Sequence, residues 1–306
     1  MAADDLDGVR RALGLSELPY LDLAAQRVLA QLPQRWPWLP MALPTAKTPP
    51  SRSPGTGPCL LALQGLRGGV GVSALVAGLA VALQALGQRV LILELDPAGL
   101  LRHYAALPAG PLEGWANAEQ AGGDWHACAW HIQPQVYLLP YGTLEPLARL
   151  QLEQSLAGRG DLWTARLRSL QPNIDWVLCD LPQHWPAHVG SLRADLYLRV
   201  IEADPACHLR LQEGLPAEQW LLVNRFDPTR RLAQDLWRLW QSSLQACLVP
   251  QCLHEDEAVR EALANQQLPG IHAPNSLFAE DLHGLATWCL ARAARARHAA
   301  TPEVPA

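Results

Sequence analysis

Short apolar runs alternate with longer stretches of helical spacing along most of this 306-residue chain. Cys59 to Gln64 reads as a strand, Ser73 to Leu86 as a helix and Arg89 to Glu94 as a second strand, which together make a βαβ unit. Further strand candidates are Val136 to Leu139, Trp176 to Asp180, Leu196 to Ile201, Trp220 to Asn224 and Cys247 to Val249. Most of them are continuously apolar and do not alternate, as expected of strands covered on both faces. The expected architecture is an α/β fold with a doubly wound, mostly parallel sheet.

The residues before Cys59 break this rhythm. Residues 1–40 carry two short amphipathic patterns, around Leu6, Val9 and Leu13 and around Leu23, Val28 and Leu32, closed by Trp36-Pro37-Trp38-Leu39-Pro40. They predict a small helical N-terminal module. It is too short for a core of its own without a disulfide or a metal, so it is expected to dock on an α/β surface. Residues 41–58 turn to Pro, Thr, Ser and Gly, the composition of a linker. The main domain is expected over 59–298, with a flexible tail at 299–306. Its last helical stretch, Leu282 to His298, carries Leu285, Trp288 and Leu290, with Arg292, Arg295 and Arg297 toward its end. That pattern fits a helix packed on the sheet with arginines at its negative end, and an interfacial membrane helix is the alternative.

Composition narrows the chemistry. Hydrophobic residues at 49% and charged residues at 17% exclude disorder over most of the length. Lys and Arg number 24 against 29 Asp and Glu, a net charge of −5 with no basic block, which argues against nucleic-acid binding by bulk charge. Lys47 is the only lysine, so chemistry that needs one elsewhere is excluded. The 7 cysteines form no C-x-x-C pair and read as free thiols in a reducing compartment. The acidic start and the lack of an apolar run of about 18 residues predict a cytoplasmic protein without stable membrane insertion. Neither H-E-x-x-H nor a G-x-S-x-G elbow is present, so zinc and serine-hydrolase chemistry have no support.

The first strand runs into Gln64-Gly65-Leu66-Arg67-Gly68-Gly69-Val70-Gly71-Val72-Ser73. A glycine-rich turn between a strand and a helix lets backbone N–H groups converge on an anion at the positive helix end. Two functional readings compete. Gly69-Val70-Gly71-Val72-Ser73-Ala74 satisfies the dinucleotide pattern G-x-G-x-x-A, and Glu94 follows at the ribose-binding distance of about 20 residues, as in an NAD-dependent oxidoreductase. Against it, Gly65 to Gly68 intervene between the strand and that fingerprint, and the longer loop favours a mononucleotide P-loop. The pattern G-x-x-x-x-G-K-[ST] is met only in part: Gly71 and Ser73 fit, Leu66 replaces the first glycine and Val72 replaces the lysine. Arg67 is the nearest compensating charge, and a guanidinium can bond phosphate bidentately.

This loop resembles that of the deviant Walker-A ATPases of the MinD/ParA type, x-K-G-G-V-G-K-[ST], with Arg67 at the position of the signature lysine. Asp96 in Leu93-Glu94-Leu95-Asp96-Pro97 is similar to the switch I aspartate, and Asp180 in Leu178-Cys179-Asp180-Leu181-Pro182 to the Walker B aspartate. Asn224 in Leu222-Val223-Asn224-Arg225-Phe226 is similar to the adenine-reading asparagine, while Asp256 and Val259 resemble the segment that flanks the base. A narrower likeness, over roughly residues 59 to 292, is to the BcsQ family of bacterial cellulose secretion systems. It rests on Gln64 to Gly71, Leu100-Leu101-Arg102, Gly114-Trp115-Ala116, Asp124-Trp125, Leu138-Leu139-Pro140-Tyr141-Gly142, Cys207-His208-Leu209-Arg210-Leu211 and Thr287-Trp288-Cys289-Leu290. Leu18-Pro19-Tyr20-Leu21-Asp22 and Arg35-Trp36-Pro37-Trp38-Leu39 resemble BcsR, so the chain reads as a BcsR-like module fused to a BcsQ-like domain. Val72, where a small hydroxyl residue is more usual, and Glu94, in place of an aspartate, depart from the family pattern.

The resemblance implies ATP and Mg2+ as cofactors. It places nucleotide contacts at Arg67, Gly68, Gly69, Val70, Gly71, Val72, Ser73, Asn224 and Asp256, and magnesium at Ser73, Asp96 and Asp180, with Asp96 also orienting the attacking water. It further implies a homodimer bridged by ATP, with Arg67 acting in trans, and partners among cellulose secretion components at the inner membrane. The expected function is a nucleotide-dependent regulator or assembly factor of cellulose synthesis and secretion. Hydrolysis is expected to be slow or absent, because no lysine stabilises the transferring phosphate. An NAD-dependent oxidoreductase and a scaffold with a vestigial site remain the alternatives.

Overall fold

The computed structural model describes residues 23–49, 57–159, 162–168, 170, 173–184, 186–190, 192–214 and 218–300. The chain divides into two compact units, Met1–Met41 and Ala42–Ala306. In the first, helix α1 (Leu23–Arg35) forms on the second of the two amphipathic patterns, and a turn in which Leu39 N–H donates to the Trp36 carbonyl follows it. The pattern around Leu6, Val9 and Leu13 lies outside the described residues, as does the expected tail from 301 onward.

In the second unit, β1 (Cys59–Gly65), α2 (Val72–Ala85) and β2 (Val90–Glu94) make the expected βαβ unit. They are followed by α3 (Leu101–Tyr104), α4 (Trp115–Ala121), β3 (Trp130–Gln133), β4 (Val136–Leu139), α5 (Pro146–Leu156), α6 (Leu162–Arg168) and β5 (Trp176–Leu181). The chain continues through β6 (Leu196–Glu202), α7 (Pro205–Glu213), β7 (Trp220–Phe226), α8 (Arg231–Ser243), β8 (Leu248–His254), α9 (Ala258–Ala264) and α10 (Leu277–Ala300). One sheet in the order β3-β4-β2-β5-β1-β6-β7-β8 results. Every neighbouring pair is parallel except β3 and β4, and β1, β2 and β5 are buried along their whole lengths, which is why they read as unbroken apolar runs. Register pairs both Leu63 and Glu94 with Asp180, so the carboxyl ends of the three central strands finish level.

Two strands depart from the sequence pattern. The hairpin strand β3 was not expected: it is short, lies on the sheet edge and exposes Trp130 and His131, so it carries no buried face to read. β8 extends well past the expected Cys247 to Val249 because Pro250 and Gln251 interrupt the apolar run, which an edge strand tolerates. Helix α10 also begins earlier than expected, at Leu277. Asp256 accepts the Phe278 N–H at 3.1 Å and Ser276 accepts the Ala279 N–H at 3.2 Å, which satisfies its first turn.

Helices α2 and α10 share one face of the sheet. Gly78 permits their approach, since a Cβ there would stand 2.5 Å from Leu282 Cδ1. Arg292 lies over the Trp220 ring at 4.1 Å and the Trp288 ring at 5.4 Å, holding the last helix against β7 as a cation–π pair would. Leu282, Leu285, Ala286 and Cys289 are fully buried, so the apolar face of this helix is packed and not an interfacial face. Among the described residues no helix is long and apolar enough to cross a membrane.

On the other side, Trp115 meets Tyr141 at 4.9 Å and Trp163 at 4.8 Å, both edge to face. His188 is buried 5.7 Å from Trp115, and neither ring nitrogen has a partner among the described residues. Burial, reinforced by the Arg166 charge, pushes its pKa down to about 4. The unfolded chain therefore takes up the proton first, and stability should fall as pH drops from about 6.5 toward about 4. Urea titrations of the wild type against a His188→Phe variant should show an extra loss of about 2 kcal/mol in the wild type between about pH 7 and about pH 5. Parallel pH profiles would mean that His188 is solvated or paired.

Candidate functional site

The central strands end in a common edge, and the loop from Leu66 to Gly71 lies across it. Leu66 N–H donates to the Val200 carbonyl at 2.9 Å, which ties the loop's first residue to β6. Gly71, at φ +87, turns the chain into α2, and a Cβ there would come within 2.9 Å of Asn224 Nδ2. The helix has no acidic residue in its first turn and no side-chain cap. Its leading N–H groups, with those of the loop, are the donors an anion would meet. Gly68, Gly69, Val70, Gly71, Val72, Ser73 and Asp96 all line one cavity of about 400 Å³, so the structure brings these expected site residues together.

Asp180 lies beneath this loop, 1% exposed, and neither carboxylate oxygen has a hydrogen-bond partner of good geometry among the described residues. Burial drives its pKa well above the ordinary carboxylate range; the Glu94 and Asp96 charges add to this, and the nearby Ser73 hydroxyl opposes it. A hydroxyl beside an unsatisfied buried carboxylate fits a hard divalent cation, which would reverse the cost of that charge. Asp96 accepts the Ala98 N–H at 2.9 Å and also faces the cavity. The donors of the loop suit a phosphate, and the Ser73 hydroxyl beside the Asp180 carboxylate, with Asp96 on the cavity wall, offers oxygen donors of the kind a hard divalent cation takes, although Asp180 itself does not line the cavity.

One alternative is removed, and two expected site residues lie off the cavity lining. Glu94 cannot serve as a ribose-binding acid, because its two oxygens accept the N–H groups of Leu101 at 2.9 Å and Tyr141 at 3.1 Å inside the protein. Burial, working against those two bonds, pushes its pKa up to about 7. The chain-internal role of Glu94, and the long loop between Gly65 and α2, remove the dinucleotide reading. Asn224 does not line the cavity: it is buried, and its Nδ2 donates to the Val70 carbonyl at 2.8 Å, so it braces the loop from behind. Asp256 is likewise absent from the lining, its oxygens accepting the N–H groups of Ala258 and Phe278, although its neighbour Val259 does line the cavity.

The arginines hold the largest departure. Every nitrogen of Arg67 is engaged within its own chain: Nε with Asp204, Nη1 with the Gly68 carbonyl at 3.0 Å, and Nη2 with Glu202 and Asp204. Asp204 also accepts the Cys207 N–H at 2.7 Å at the start of α7, which fixes its own position. Sequence reasoning missed Arg225, Arg260 and Tyr104, all of which line the cavity, and Glu202, which pairs with both Arg67 and Arg225. Arg225 stands beside Asn224 in the sequence, but nothing local says that its side chain returns to the glycine loop.

A family model described as cellulose biosynthesis protein BcsQ matches residues 59–290. The chain is 36% identical over 236 residues to the cellulose biosynthesis protein BcsQ of Salmonella typhimurium, a match covering 76% of this chain and 94% of that protein. It is 34% identical over 236 residues to its counterpart in Escherichia coli K12, with coverage of 76% and 94%. Among solved structures, the septum site-determining protein MinD of Pyrococcus horikoshii, complexed with Mg-ADP, matches with a TM-score of 0.59 at 18% identity, over 76% of this chain and 95% of that one. The fold is that of the MinD/ParA-type P-loop proteins.

The geometry of Asp180 makes one outcome testable without any ligand. Asp180→Asn removes the ionisable group from a dry site and should stabilise the ligand-free protein by about 1–2 kcal/mol. Thermal unfolding in the presence of a chelator reads this directly. An unchanged or lower midpoint would show that the carboxylate has compensating partners.

Proposed function

The chain belongs to the BcsQ family of cellulose biosynthesis proteins, and from that premise we propose that it is an ATP-binding regulator or assembly factor of bacterial cellulose synthesis and secretion. In this reading ATP with Mg2+ holds a homodimer and is hydrolysed slowly or not at all. The observation that carries it is Asp180, a buried carboxylate whose oxygens make no hydrogen bond of good geometry among the described residues, set beside the Ser73 hydroxyl under a glycine loop that opens on a cavity. MinD of Pyrococcus horikoshii was solved with Mg-ADP, which supports the same ligand class here. In the same reading the protein works in the cytoplasm, at the periphery of the inner membrane, with other cellulose secretion components. Residues 1–40 are assigned to a BcsR-like module, joined through the linker at 41–58 to the nucleotide-binding domain.

The chain's own groups divide the work. Backbone N–H groups of Gly68 to Ser73 would cradle phosphate oxygens, and Ser73, Asp96 and Asp180 would hold the cation. A bound magnesium ion supplies charge neutralisation of the phosphates. Asp96, which lines the cavity, would orient the attacking water. Val72 contributes no charge where this loop type carries lysine, so the transition state lacks one of its usual stabilising cations and turnover should be slow. In the dimer, Arg67 would exchange Glu202 and Asp204 for phosphates across the interface, which makes nucleotide occupancy and dimerisation one linked equilibrium.

Calorimetric titration with ATP and with NAD, each with magnesium, should give binding of ATP alone. Preference for NAD would overturn the reading, and binding of neither would favour a scaffold with a vestigial site. Steady-state ATP turnover should stay below about 1 per second. Replacing Arg67 with alanine should weaken the ATP-linked dimer by on the order of 2 to 5 kcal/mol while leaving the fold intact. Sedimentation of both proteins with and without ATP and magnesium tests this, and equal dimerisation would remove Arg67 from the interface.

A further inference from the structure

We propose that Arg225 is the polyphosphate-binding cation of this chain, delivered from the end of β7 to the place that Val72 leaves without charge. The inference rests on the nucleotide-binding reading above and goes beyond it, since it assigns the cation to a residue outside the loop. The sequence offers few candidates. Lys47 is the only lysine and lies in the segment before the domain, and Val72 is apolar. Of the three arginines that line the cavity, Arg67 has all its nitrogens engaged with Glu202, Asp204 and the Gly68 carbonyl. Arg260 pairs with Glu255 at 2.8 Å and with Glu257, so two carboxylates already offset its charge.

Arg225 differs in geometry. Only its Nη1 is engaged among the described residues, donating to the Gly69 carbonyl at 2.7 Å and to Glu202 Oε1 at 3.1 Å. Its Nε and Nη2, the edge that forms a bidentate fork, stand 3.5 and 3.6 Å from the point a Cβ on Gly71 would occupy. That edge therefore lies beside Gly71 with no hydrogen bond among the described residues. The Arg225 side chain is 42% exposed and lines the cavity, so a ligand can reach it. Nη1 anchors it at the same time, which orders the fork before any ligand arrives.

The backbone supports the same assignment. Arg225 has φ +52, in the left-handed region that an arginine occupies at a cost, while its neighbour Asn224 braces the Val70 carbonyl. The pairing of β7 with β8 shifts register between Val223 and Phe226, the interval that contains this residue. Glu202 sits opposite Asn224 in the β6–β7 register, so the carboxylate that orients Arg225 is fixed by the sheet itself. The strained turn, the anchoring carboxylate and the unused fork converge on the loop whose own lysine is missing.

The test compares wild type, Arg225→Ala and Arg225→Lys for binding of ATP and of AMP with magnesium, by calorimetry or competition, together with thermal unfolding without ligand. In Arg225→Ala the affinity for ATP should fall by about 10- to 100-fold, and the preference for ATP over AMP should shrink by about 10-fold. Arg225→Lys, which keeps the charge and loses the fork, should recover part of that preference. Unchanged ATP affinity in Arg225→Ala, beside a wild type that binds ATP, overturns the assignment and leaves the nucleotide site standing. Equal losses for ATP and AMP with a lowered melting temperature also overturn it, because a latch on the Gly69 carbonyl explains them. A wild type that binds neither nucleotide overturns the nucleotide site, and this assignment with it.

Discussion

Leu63 and Glu94 are both paired in register with Asp180, and from that alignment of three parallel strand ends the rest of the site follows. It sets the glycine loop over the sheet edge and places a carboxylate beneath it in a dry environment, with Glu94 alongside. A buried carboxylate with little beyond the Ser73 hydroxyl beside it is a costly group for a domain to contain. The surrounding β1, β2 and β5 are buried throughout, and this core holds the acid in place. The two acids answer the same constraint differently. Glu94 is satisfied by two backbone N–H groups and ties β2 to the segments that follow it, whereas Asp180 keeps its oxygens available next to Ser73.

On the other flank of the loop, Glu202 performs the complementary task of assembling positive charge. It pairs with Arg67 of the glycine loop and Arg225 of β7, which would otherwise repel each other over the same turn. The loop is then gripped from three sides: Asn224 holds the Val70 carbonyl, Arg225 the Gly69 carbonyl and Arg67 the Gly68 carbonyl. These bonds restrain a loop rich in glycine, the most flexible residue type.

Much of the fold was legible in the chain because burial on both faces writes itself as continuous apolar runs. Cys59 to Gln64, Arg89 to Glu94 and Val136 to Leu139 could be read to within a residue of their observed bounds. The glycine loop was equally plain, since no other residue type tolerates the φ of Gly69 and Gly71 so readily. The edge strand Trp130 to Gln133 and the long course of β8 were not, because edges carry no buried face and accept proline. For single acids the difficulty is different. Asp256 and Glu94 end as partners of backbone N–H groups while Asp180 does not, and nothing in their immediate neighbours distinguishes them.

The amino-acid sequence by itself determined the parallel α/β core, the position of the anion-binding turn, the missing lysine at Val72 and the family to which those residues point. These are properties of local composition and spacing, which act over a few residues. Tertiary structure alone decided which charges meet. Glu202, Asn224 and Arg225 lie more than a hundred positions from the glycine loop in the chain, yet the β1–β6 and β6–β7 registers bring them to its edge. Charge partners are chosen by proximity in space, and in a parallel sheet proximity is set by strand order, which here places β6 beside β1 and β7 beside β6.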